Sequence, residues 1–152
     1  MATVATRPPD VLIRGRKVVG GVVEGEALAT RQTISGWGGV NPMKGEIIET
    51  RHELKGQSFA GKILVFPGAK GSSGWSAMFH TTRLTGQAPI GMLYNVTTTK
   101  AALGAVVMRV PTMTGFDSDP LEQIETGDWV RIDADGETVS VWKGGEEGMR
   151  SE

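Results

Sequence analysis

The stretch from Lys62 to His80 constrains this chain more than any other. Ile63, Leu64, Val65 and Phe66 are an unbroken apolar run of strand length, stopped by Pro67 and Gly68. After the glycine-rich turn, Trp75, Met78 and Phe79 recur at helical spacing, predicting a helix from about Ser73 to Leu84 that Gly86 closes. The pattern then continues. Pro89 to Tyr94 reads as a buried strand, Thr97 to Leu103 as a threonine-capped helical turn, and Gly104 to Met108 as a third buried strand. Strand, helix, strand, short helix and strand in succession require crossover connections and predict a small, partly parallel sheet with flanking helices.

The rest of the chain adds β structure around that unit. Val11 to Val23 reads as two β segments broken by glycine, with Gly25 to Ala29 continuing as strand, and Met43 to Glu49 as a turn into an edge strand. Gly127 to Asp133 and Thr138 to Trp142 alternate apolar and polar residues around a turn, which predicts a β-hairpin. Asp119, Pro120 and Glu122 have the order of a helix start, so this acidic cluster reads as a cap rather than a metal site. Residues 1–10 read as a loose arm and 144–152 as a polar, frayed tail, leaving one domain over 11–143. A length of 152 residues, 39% of them hydrophobic, supports one core. The 22 glycines, about twice the usual share, imply many tight turns.

Charge and composition exclude several functions. Sixteen basic and 17 acidic residues leave a net charge of -1, so no basic surface is offered to nucleic acid or to membranes. No apolar run reaches the roughly 20 residues needed to span a bilayer, and no signal-peptide pattern opens the chain, so the cytoplasm is the expected compartment. With no cysteine and only His52 and His80, neither a thiolate-ligated cluster nor a self-contained metal site is expected on this chain.

Two stretches are candidates for chemistry. Gly71-Ser72-Ser73-Gly74 places adjacent hydroxyls at a helix start, where backbone amides can face an oxyanion or carboxylate; the plainer reading is a serine helix cap. Ile34 to Pro42, interrupted by Gly36, Gly38, Gly39 and Pro42, reads equally as a turn tucked by Trp37 or as a ligand-facing loop. Gly56 to Lys62 has the glycine and lysine spacing of a P-loop, but Ile63 replaces the magnesium-binding hydroxyl and the segment runs into a strand rather than out of one. Gly71 to Gly74 is one residue short of a hydrolase elbow. His52 reads as a surface or loop-anchoring residue rather than a ligand, and His80 as a surface residue.

Taken together, Trp37-Gly38-Gly39-Val40-Asn41-Pro42, Gly45, Ile47-Ile48, His52, Leu54, Gly56-Gln57-Ser58, Gly61 to Leu64, Pro67, Gly71-Ser72-Ser73 and Ala88-Pro89 resemble the small subunit, or swivel domain, of aconitase X. The resemblance covers roughly residues 22–142. It implies a mixed α/β, swivelling β/β/α domain that closes over a site shared with a large subunit in a heterodimer. Members are hydro-lyases that dehydrate a hydroxy acid, either cis-3-hydroxy-L-proline or mevalonate 5-phosphate, with an iron–sulfur cluster in the large subunit. By this resemblance Ser72 is the catalytic serine. Lys70, Gly71 and Ser73 contact substrate, and Trp37, Gly38 and Gly39 wall the pocket. Two positions depart from the pattern: Lys70 stands where Arg is usual, and Gly74 where ordinary aconitases carry a substrate-binding Arg. The second departure separates the chain from citrate-type substrates. Moderate charge, seven methionines and 22 glycines are unlike a heat-adapted chain, whereas the mevalonate phosphate members are archaeal and often thermophilic. The composition therefore leans toward cis-3-hydroxy-L-proline. A non-catalytic binding or regulatory domain on the same fold is the reading from another class.

Overall fold

The computed structural model describes residues 7–36, 38–70, 74–95 and 99–150. Three strands open the chain, β1 (Val11–Arg14), β2 (Arg16–Val19) and β3 (Val22–Ala29), where the glycine pattern predicted two segments and a continuation. Three two-residue strands follow, β4 (Ile34–Ser35), β5 (Val40–Asn41) and β6 (Glu46–Ile47). The central unit is β7 (Ile63–Phe66), β8 (Ala69–Lys70), α1 (Trp75–Thr85), β9 (Gly91–Tyr94), α2 (Thr99–Met108) and β10 (Thr112–Thr114). The chain ends with α3 (Pro120–Gln123), β11 (Trp129–Asp133), β12 (Thr138–Trp142) and α4 (Gly145–Arg150).

Eight strands form one sheet in the order β1, β12, β11, β3, β7, β9, β10, β2. The pairs β3–β7, β7–β9 and β9–β10 are parallel and the remaining four antiparallel. The two edge strands, β1 and β2, are separated in sequence by Gly15 alone. Because one residue spans only about 3.5 Å, the sheet must curl until its edges nearly meet. Gly15 sits at that junction, where a Cβ would lie 2.6 Å from the Phe116 ring. β3 joins the two halves: Val22 to Glu26 pair with β11, and Ala27 to Ala29 with β7.

Alternation along β7 sends its side chains into two cores. Ile63 and Val65 enter an inner core inside the curl, with Ile13, Leu93, Met113, Val130, Ile132, Val139 and Val141. Leu64 and Phe66 enter an outer core beneath the helices, with Phe59, Trp75, Phe79, Met92, Tyr94, Ala101 and Ala105. The result is the mixed α/β, β/β/α architecture expected from the sequence. No described helix is long and apolar enough to cross a membrane.

Three local expectations are corrected. Gly104 to Met108 is not a strand but the second half of α2. Its glycine and β-branched residues resemble strand punctuation, yet the segment is helical, and the glycine is needed because a Cβ there would run into the Trp75 ring. The strand that completes the sheet is β10, after Pro111. The tail forms α4 with Met149 buried, so one apolar anchor orders a segment whose composition reads as frayed. Residues 7–10 of the expected arm are clasped: Arg7 pairs with Asp10 at 2.8 Å and donates to the Gly148 carbonyl, and Trp142 Nε1 donates to the Arg7 carbonyl at 2.9 Å.

Candidate functional site

Parallel pairing of β4 with β8 builds the site. Ile34 lies opposite Ala69 and Ser35 opposite Lys70, and the Ile34 N–H donates to the Gly68 carbonyl at 3.2 Å. The end of β4 and the end of β8 therefore lie side by side. Gly36 is pressed against the start of α1: a Cβ there would lie 2.5 Å from Trp75 Cα. Gly38 is exposed with φ +77° and open space around it, while Gly39 is buried against the Ser35 carbonyl. A side chain at either position would be resisted, at Gly38 by the left-handed backbone and at Gly39 by the close approach.

Trp75 locks this arrangement. It is fully buried, stacks on Phe79 with centroids 4.2 Å apart, and donates from Nε1 to the Ile34 carbonyl at 2.9 Å. Sequence periodicity marked Trp75 as core but not as the residue that ties β4 to the helix start. Among the described residues, the N-cap of α1 is Gly74, with no side-chain cap bond and no acidic residue in the first turn. Gly71, Ser72, Ser73 and Trp37 lie outside the described residues.

Lys70 does not stand alone. Its Nζ contacts Glu49 Oε2 at 2.7 Å, and this lysine holds the Glu49 carboxyl below its usual range. Among the described residues, Glu49 Oε1 is buried without a hydrogen-bond partner. Beside the pair opens a cavity of about 340 Å³ lined by Gln32, Thr33, Glu49, Arg51 and Lys70. His52 anchors its wall: Nε2–H donates to the Thr33 carbonyl at 3.2 Å, and Nδ1 accepts from the Leu54 N–H at 3.1 Å. The loop-anchoring role expected of His52 is the one found. Gln32, Thr33, Glu49 and Arg51 carried no sequence signal, because the first two reach Lys70 through the β4–β8 pairing and the last two through the contacts of His52 with Thr33 and of Glu49 with Lys70. A second cavity of about 340 Å³, near Glu53, Glu122 and Glu125, contains Arg31, already paired with Glu122 at 3.1 Å.

Among the described residues, no three His, Asp or Glu side chains are placed to hold a metal ion. With no cysteine in the sequence, the residues present do not fit an iron–sulfur cluster.

Comparison with known proteins places these features in a family. The model of the aconitase X swivel domain matches residues 12–141. The small subunit of phosphomevalonate dehydratase from Thermococcus kodakarensis is 37% identical over 88% of this chain and 98% of its own length. The corresponding subunit from Archaeoglobus fulgidus is 40% identical over 79% and 90%. The crystal structure of Thermococcus kodakaraensis aconitase X in its holo-form superposes with a TM-score of 0.82 at 36% identity, covering 88% of this chain and 99% of that one. The solution structure of a UPF0107 protein superposes with a TM-score of 0.78 at 38% identity, covering 86% and 98%. A match along nearly the whole domain, in both sequence and fold, shows that this chain belongs to the aconitase X swivel-domain family.

Proposed function

We propose that this chain is the small, swivelling subunit of a phosphomevalonate dehydratase, active only with a large subunit and acting on mevalonate 5-phosphate. One observation carries the reading: at 37% identity the chain covers 98% of a curated small subunit of that name. Composition leaned toward cis-3-hydroxy-L-proline, but the relatives favour the phosphorylated substrate, and no feature of the site favours proline. The iron–sulfur cluster is assigned to the large subunit, and no step on this chain runs through it.

Dehydration breaks the C–H bond beside the carboxylate, forms a carbon–carbon double bond from that electron pair, and breaks the neighbouring C–O bond; the hydroxide takes up one proton as it departs, so that H⁺ lost from carbon and OH⁻ lost from its neighbour leave in sum as water. Ser72 takes the proton. A serine hydroxyl is a poor base unless its alkoxide is stabilised, and the backbone amides at the start of α1 and the Lys70 charge supply that stabilisation. Because Lys70 is shared with Glu49, its field at the serine is weaker than that of a free ammonium. Gly71 and Ser73 donate to substrate oxygens, and Trp37, Gly38 and Gly39 close the side of the pocket.

The test is co-expression with the large subunit. Ser72→Ala should leave heterodimer assembly intact and lower dehydration of mevalonate 5-phosphate by about 10²- to 10⁴-fold. Normal turnover in that variant rejects the assignment. Turnover of cis-3-hydroxy-L-proline in place of mevalonate 5-phosphate rejects the substrate, and activity of the small chain alone rejects the shared site.

A further inference from the structure

The cavity beside Lys70 carries a second cation, Arg51, that the dehydration step does not use. Arg51 lines it and, among the described residues, makes no hydrogen bond or ion pair. Arg51 and Lys70 are both exposed at this concave surface, so each is solvated when the cavity is empty, and both can turn toward an anion that enters it. Gln32 adds a donor: its Oε1 is occupied by the Glu53 N–H at 2.9 Å, which leaves the amide NH₂ to donate elsewhere. Thr33 contributes a hydroxyl to the same lining, and its carbonyl is held by His52. The single carboxylate present, Glu49, already has one oxygen committed to Lys70.

We infer that this cavity, with Arg51 and Lys70 as its cations and Gln32 and Thr33 as neutral donors, seats the phosphate group of the substrate. The inference rests on the phosphorylated substrate proposed above and assigns its recognition to this chain. Two cations against one carboxylate suit a phosphate monoester carrying about -1.5 to -2 charges at neutral pH better than a second carboxylate. The planar fork of Arg51 suits phosphate oxygens, with Lys70 acting as a point charge. Glu49 keeps Lys70 in place when the cavity is empty.

Two experiments separate this inference from the reading beneath it. In the first, the isotope-labelled full chain is titrated with inorganic phosphate at constant ionic strength and followed by NMR. The Gln32 side-chain NH₂ and the amides of Thr33, Arg51 and Lys70 should shift together, sodium chloride should not reproduce the shifts, and Arg51→Gln should weaken the response about 10-fold. No response of the wild-type chain in the high millimolar range overturns the phosphate site. In the second, the heterodimer carrying Arg51→Gln should show a KM for mevalonate 5-phosphate raised about 10-fold or more, with kcat within about twofold and partial rescue by Arg51→Lys. An unchanged KM overturns the site while the dehydratase reading stands. Phosphate binding through Arg51 in a heterodimer that does not dehydrate mevalonate 5-phosphate overturns the substrate instead and leaves an anion site on this chain.

Discussion

The two cores on either side of the curled sheet are filled with different chemistry. The inner core is packed mainly by aliphatic side chains from strands, among them Ile13, Ile63, Val65, Val130, Ile132, Val139 and Val141. The outer core adds aromatic rings to its aliphatic residues: Phe59, Phe66, Trp75, Phe79 and Tyr94 form a connected stack beneath the helices. Interchangeable aliphatic packing holds a frame and tolerates conservative exchange. The aromatic stack instead fixes directions, since Trp75 uses its indole N–H to hold β4 against the helix start. The side that carries the site is thus the less replaceable of the two.

The largest effect should come from Trp75→Ala, at about 3–5 kcal/mol of lost stability by denaturant unfolding, together with loss of dehydration in the heterodimer. Ile132→Ala in the inner core should cost about 2–5 kcal/mol yet leave kcat of the folded heterodimer unchanged. If Ile132→Ala impaired kcat as much as Trp75→Ala, the division between frame and site would fail. Gly104→Ala forces a methyl group toward the Trp75 ring and should cost about 1–3 kcal/mol, as α2 is pushed from α1.

Smaller effects sharpen the same contrast. Arg109 ends α2 with φ 58°, a left-handed conformation costly for a residue with a Cβ, so Arg109→Gly should raise stability by up to about 1 kcal/mol. At the rim of the site, the Glu49 carboxyl is held below its usual 4.5 by Lys70. Its contribution is present at neutral pH, above the unfolded value, and is lost as pH falls through the lowered folded value. Stability of the wild type should therefore decline slightly more than that of Glu49→Gln on acidification below about pH 5, by less than about 1 kcal/mol for so accessible a pair. Equal pH profiles would remove Lys70 as the partner that matters.

Much of the frame was legible locally. The apolar run at β7, the alternation of β11 and β12, the capping grammar of α3 and the glycine closing α1 each follow from nearest neighbours. The misreading of Gly104 to Met108 has a long-range cause, since its glycine is there to admit Trp75. Of the residues proposed for the site, Lys70, Gly38 and Gly39 were named by motif and lie on or next to the paired strands β4 and β8, whereas Glu49, Arg51, Gln32 and Thr33 were invisible. Ordinary charged and polar residues in loops carry no pattern until a pairing brings them together.

By itself, the sequence determined the kinds of element, the absence of thiolate ligands and the resemblance to aconitase X swivel domains, because these depend on residue identity and short spacing. Only the tertiary structure decided that β1 and β2 lie at opposite edges of a curled sheet, that Trp75 binds β4, and that Lys70, Glu49 and Arg51 border one cavity. The physical reason is that strand pairing is set by which buried faces fit together across the whole chain. That energy belongs to contacts between distant residues, and no local window contains it.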